Sequence, residues 1–165
     1  MEPDVIPTPD LIPDAANAAQ ALADVYVPGA DWLTLLIYPS LITILALGLY
    51  FVVTVNVGRA RRKFKVPAPQ TTGNPDFERF FRVQQNTLEQ LVGFLPALWL
   101  ASLYVSIKVA SALGLVWIAG RLLYANGYYR AAEKRGRGFV ISVVASGLLM
   151  ILALVGVVSR LAIGY

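Results

Sequence analysis

With 165 residues, 57% of them hydrophobic and 15% charged, and a net charge of +4, the chain is too apolar for an ordinary soluble domain and reads as one membrane-embedded domain. It has no cysteine and no histidine, which excludes nucleophiles and triads built on them, haem held by histidine, and the usual zinc and copper sites. Any chemistry must rest on Arg, Tyr, Glu, Asn, Gln, Ser or a bound cofactor.

Residues 1–30 form an acidic, proline-rich extension containing Pro3, Pro7, Pro9 and Pro13; up to Asp31 the chain carries six acidic residues and no basic one. The extension lacks the positive start and apolar core of a cleaved signal peptide. Its composition suits a disordered or interfacial tail, within which about Ala15 to Tyr26 is suited to a short helix lying on a membrane surface.

A membrane domain is expected over 31–165. A helix needs about 20 apolar residues to span hydrocarbon, and four stretches are read as spans: Trp32 to Val57, Phe80 to Ile107, Val109 to Tyr129 and Phe139 to Ser159. The cationic run Arg59, Arg61, Arg62, Lys63, Lys65, followed by Pro67 and Pro69, should stop the first helix near Lys65. Asn74, Pro75 and Asp76 supply a start for the second. The second and third spans are joined by only a few residues around Lys108, which forces them to pack as antiparallel neighbours. Gly136 and Gly138 are expected to break the third from the fourth. Pro39 and Pro96 fall within spans and read as kinks, since membrane helices tolerate proline.

Lysine and arginine set the expected orientation. The first connection holds the run from Arg59 to Lys65, and the third holds Arg130, Lys134, Arg135 and Arg137; the opposite side has only Lys108 and Arg160. By the positive-inside rule both rich connections are cytoplasmic and both termini face the other way.

The polar run ERFFRVQQNTLEQ opens the second span. Arg82, Asn86 and Glu89 are spaced by four and three residues and so share one helical stripe; Gln85 flanks it and Gln84 points away. Guanidinium, amide and carboxylate together suit a ligand that carries carboxylates, an amine and peptide groups. The structural alternative is internal glue between helices, although ionisable residues within spans are functional by default.

The third span ends GRLLYANGYYRAAEKRGRG. Tyr124, Tyr128 and Arg135 share a face if the helix continues that far, and Arg121 borders it. The same residues also suit an aromatic belt and topogenic charges. The run ARRKFK after the first span reads most simply as an anchor attracted to anionic lipid. All three clusters fall at the same membrane side.

In order, VNVGRARRKFKV, TTGNPDFERFFRVQQNTLEQ and GLVWIAGRLLYANGYYRAAEKRGRGF resemble the MAPEG family, the membrane-associated proteins in eicosanoid and glutathione metabolism. The resemblance covers roughly 33–160 and is nearest to microsomal glutathione transferases of the third type. It implies an all-α, four-transmembrane-helix bundle assembled as a homotrimer, with glutathione bound between subunits near the cytoplasmic face. It also implies a glutathione transferase that attacks lipophilic electrophiles or hydroperoxides, with membrane lipids around it and no metal or nucleic acid. Carried over by position, Arg82, Asn86, Glu89, Tyr124 and Tyr128 match glutathione contacts, and Arg61 and Gln84 match contacts from the neighbouring subunit. Arg135 matches the thiolate-stabilising arginine, and Arg62 a second arginine near the reaction centre. Leukotriene-forming members carry a tyrosine directly after the glutamate, whereas this chain has Gln90. A different class of function, a non-catalytic membrane scaffold or lipid-binding subunit, would use the same arginines for headgroups or neighbouring helices.

Overall fold

A computed structural model describes residues 31–163. The extension 1–30, with the surface helix expected around Ala15 to Tyr26, lies outside the described residues. A short helical segment covers Asp31–Leu35. Four long helices follow: α1 (Ile37–Phe64), α2 (Pro75–Tyr104), α3 (Ile107–Arg130) and α4 (Gly136–Ile163).

The ends of α1 and α2 follow from local chemistry. Pro39 lies in the first turn of α1, where a missing N–H leaves no intrahelical bond unmade. At the other end Arg61, Arg62 and Lys63 occupy the last turn and complement the negative end of the helix dipole. Lys65 then turns left-handed, with φ of 55°, and its N–H and that of Val66 both reach the Arg61 carbonyl. The Asn74 side chain accepts from the amides of Asp76 and Phe77 at 2.9 and 3.1 Å, with Pro75 at the first helical position, an N-cap of the expected kind. Glu78 reaches back to the Gly73 amide at 3.1 Å. The start read from Asn74 to Asp76 and the stop near Lys65 are therefore where the sequence places them.

Two connections differ from expectation. Between α2 and α3 only Val105 and Ser106 are non-helical, and Lys108 belongs to α3, whose N-terminus is capped by Ser106. Between α3 and α4 the break is not made by Gly136 and Gly138, which are both residues of α4. It is made by Ala131, which is extended, and by a 3-10 turn at Ala132–Arg135.

Gly138 serves packing instead. A Cβ there would fall on the backbone of Tyr124, so glycine allows α4 to approach α3 at backbone distance, as small residues do between membrane helices.

The bundle core is built by residues from all four helices. Ile42 and Ala46 of α1, Phe94 and Leu98 of α2, Trp117 of α3 and Leu149 of α4 are all buried. The rings of Phe94 and Trp117 stack with centroids 4.0 Å apart and 6° between planes, a contact that contributes about 1 kcal/mol beyond burial. Three hydroxyls inside the bundle are satisfied along their own helices: Thr43, Thr87 and Ser102 each donate to the carbonyl four residues back. The outward faces are apolar; Phe51, Val92 and Leu154 are largely exposed, as lipid-facing residues should be.

By length and apolarity α1, α3 and α4 qualify as membrane spans. The second stretch, read from sequence as a fourth span, falls short of that measure, because the polar run through Glu89 and Gln90 occupies the first half of α2.

Candidate functional site

At the end of the bundle where α2 begins and α3 ends, the polar residues of the two helices meet. The Asn86 side-chain amide donates to the Tyr124 hydroxyl at 2.6 Å. Tyr124 packs edge-on against Tyr128, with centroids 5.6 Å apart, and the Arg135 guanidinium lies 5.1 Å from the centre of the Tyr128 ring. These four side chains, with Gly136 and Phe139, line a recess of about 270 Å³.

Each side chain has a local reason for its place. Asn86 is one helical turn beyond Arg82 on α2, while Tyr124 and Tyr128 are one turn apart on α3. Arg135 arrives by a different route from the one its spacing suggests. The α3 helix ends at Arg130, so Arg135 does not share a continuous helical face with the tyrosines; the 3-10 turn folds back and brings it over Tyr128. Gly127 allows this return, because a Cβ there would overlap the carbonyl of Lys134.

Arg121 underlies the recess. It is almost wholly buried, its guanidinium stacks 4.0 Å above the Tyr124 ring, and its Nη2 donates to Thr87 Oγ1 at 2.6 Å. Its Nε and Nη1 have no hydrogen-bond partner among the described residues. A buried cation so lightly satisfied makes the space above it attractive to an anion. Sequence reasoning placed Arg121 at the border of the tyrosine face but not in the site. A cation three residues before Tyr124, inside an apolar span, was the available signal. Phe139 is the one aromatic residue of α4, and that was the available signal for it.

The remaining sequence-derived candidates divide. Arg82 and Glu89 are exposed on α2 on either side of Asn86 and do not line the recess; the Arg82 guanidinium reaches Gln85 at 3.4 Å. Gln84 turns the other way and donates to the Tyr50 hydroxyl of α1 at 2.7 Å. Arg61 donates to the Gln70 and Pro67 carbonyls and lies 4.9 Å from the centre of the Phe77 ring. Arg62 is exposed on the last turn of α1. Within one chain, Arg61, Arg62 and Gln84 are thus outside the recess. Gln90 is half-buried with its side-chain carbonyl unpaired. Among the described residues no group of His, Cys, Asp and Glu side chains could hold a metal ion.

Comparison with known proteins extends this picture. Residues 39–155 match the model of the MAPEG family. An uncharacterized protein, sll1147, of Synechocystis is 54% identical over 128 residues, covering 78% of this chain and 93% of that one. Human microsomal glutathione S-transferase 2 is 47% identical over 103 residues, covering 62% of this chain and 70% of its own length. Bovine leukotriene C4 synthase is 38% identical over 119 residues, covering 72% and 79%.

Proposed function

The chain belongs to the MAPEG family, and on that premise we propose that it is an integral membrane glutathione transferase, conjugating glutathione to lipophilic electrophiles through an arginine-held thiolate. Among its named relatives, microsomal glutathione S-transferase 2 supports a glutathione-related membrane enzyme. The observation that carries the finer reading is the recess where Asn86, Tyr124, Tyr128 and Arg135 converge above the buried Arg121.

Glutathione offers two carboxylates, an ammonium, two peptide groups and a thiol. In this reading Asn86 hydrogen-bonds a peptide group, while Arg82 and Glu89, exposed beside the recess, pair with a carboxylate and with the ammonium. The aromatic walls of Tyr124 and Tyr128 supply apolar contact and hydroxyls. Arg135 is the cation assigned to the sulfur. A free thiol of this type has a pKa of about 8.5, so only a few per cent is thiolate at neutral pH. A guanidinium beside the sulfur favours the anion, and each tenfold gain in thiolate corresponds to about 1.4 kcal/mol. Arginine suits this task better than lysine, because it keeps its charge when partly desolvated.

In the reaction the thiol proton leaves to solvent and the thiolate forms a bond to the electrophilic carbon. The bond from that carbon to its leaving group breaks; where the electrophile is an epoxide, the ring opens and the alkoxide takes a proton from water. The same thiolate would reduce a lipid hydroperoxide to the alcohol and water, with two glutathiones oxidised to the disulfide.

We further propose a homotrimer with the site completed across subunits. That Arg62 is exposed and lies outside the recess of its own chain supports this reading; Arg61 and Gln84, also outside it, would exchange their bonds within the chain for the neighbour's ligand. The first and third connections, with their lysines and arginines, are assigned to the cytoplasmic side by the positive-inside rule.

The test is the ultraviolet thiolate band on adding glutathione to the purified protein in detergent, compared with Arg135→Ala. Appearance of the band in the wild type and its loss in the variant support the assignment. A wild type that neither binds glutathione nor shows the band would instead point to a scaffold or lipid-binding role.

A further inference from the structure

A second recess lies on the other side of the turn between α3 and α4. It has a volume of about 690 Å³ and is lined by Leu123, Asn126, Gly127 and Arg130 of α3, Glu133 and Lys134 of the 3-10 turn, and Gly136 and Arg137 at the start of α4. We propose that this recess binds an anionic phospholipid of the surrounding membrane by its phosphate headgroup.

Charge suits an anion. Arg130, Lys134 and Arg137 surround the recess against a single carboxylate, Glu133, giving a net charge of +2 from those four side chains. None of them is in an ion pair: among the described residues the only one joins Arg79 and Asp76. Cations left unpaired at one mouth, with an amide from Asn126 beside them, are donors without acceptors.

The order of chemistry along the helices suits a lipid. On α3, Leu123, Asn126 with Gly127, and Arg130 follow at three- and four-residue steps and form one stripe. Leu123 is 53% exposed, so the stripe runs from lipid-facing hydrocarbon through an amide to a guanidinium. On α4, Val144 and Val140, both more than half exposed and beyond the lining of the recess, lead to Arg137, so this helix also runs from hydrocarbon to a guanidinium. Seven residues of helix separate Leu123 from Arg130 by roughly 10 Å, the span from upper acyl chain through glycerol ester to phosphate. A soluble anion would use the cations and leave the apolar half of each stripe without a role, which favours the lipid.

The recess is separate from the proposed glutathione site. Arg135 belongs to the other recess, and Gly136 borders both. The lipid phosphate would therefore rest on the outer side of the same turn that carries Arg135.

The test uses the full-length protein in nanodiscs of phosphatidylcholine with a minor share of phosphatidylglycerol of the same acyl chains. Lipids retained after release are counted by native mass spectrometry. A cation near an anionic membrane surface contributes enough that a net charge of two should enrich phosphatidylglycerol about tenfold over its share. The variant R130Q/K134Q/R137Q should bring retention to within about twofold of that share, while R59Q/K63Q/K65N, which removes equal charge from the other basic connection, should retain the enrichment. If the triple variant does not fold, K134Q/R137Q serves, with at least half of the enrichment lost. Equal loss in both sets would mean diffuse surface attraction and overturn the site. Displacement of the lipid by millimolar inorganic phosphate would reassign it to a soluble anion, and a wild type without enrichment would end the proposal.

Discussion

The Asn86 side chain donates to the Tyr124 hydroxyl at 2.6 Å, across 38 residues of chain. That bond ties α2 to α3 at the recess and fixes the direction of the Asn86 amide. Tyr124→Phe keeps the ring that stacks on Arg121 and removes only the acceptor. A neutral hydrogen bond contributes about 1 kcal/mol to stability, so the melting temperature should fall slightly, and with the Asn86 amide released glutathione affinity should fall about fivefold by calorimetry. An unchanged affinity would separate this bond from ligand binding.

Arg121 makes one hydrogen bond from a buried position. Replacing a buried, poorly paired charge by an apolar group of similar volume is often neutral or stabilising. Arg121→Met should therefore melt close to the wild type yet lose at least tenfold in glutathione affinity, because the recess loses its buried cation. A large fall in melting temperature with normal affinity would assign Arg121 to structure alone.

Two glycines should behave differently on replacement by alanine. At Gly138 the added methyl meets the backbone of Tyr124, which cannot swing aside; overpacking of this kind costs about 3 kcal/mol, and thermal unfolding should show it. At Gly127 the methyl meets the Lys134 backbone carbonyl of the exposed 3-10 turn, so the turn must shift. Gly127→Ala should cost less stability than Gly138→Ala but displace Arg135, and a shift of about 1 Å at a reacting group costs on the order of a hundredfold in turnover. Gly147→Ala, with nothing within 4 Å of the added atom, is the control for both.

The parts of this protein legible in sequence were those with local causes. Asn74 capping and the cationic stop before Lys65 lie within one turn of the ends they determine. The stripe of Arg82, Asn86 and Glu89 followed from helical spacing, though only Asn86 of the three lines the recess. Spacing misled at Arg135, because it assumed a helix through Ala131 where the chain is extended. The actual approach depends on Gly127, whose role appears only once the turn is folded against α3. Gly136 and Gly138 resemble helix breakers in sequence for the same reason: a glycine that permits helix contact and one that ends a helix look alike until the partner helix is present.

Arg135 makes the sharpest prediction. Its guanidinium is held near the recess by the Tyr128 ring, at 5.1 Å, and it is the group assigned to the thiolate. Favouring the anion lowers the thiol pKa, so in the wild type kcat/KM should rise with pH through an apparent pKa below the free value of about 8.5 and level off above it. In Arg135→Ala the rise should move up toward about 8.5, and turnover at neutral pH should fall about a hundredfold with glutathione affinity changed less than fivefold, the pattern of an interaction spent mainly on the reacting state. Arg135→Lys should recover part of the turnover, since it restores charge without the planar fork. If binding and turnover instead fall together, with the pH profile unmoved, Arg135 holds the tripeptide and some other group carries the sulfur.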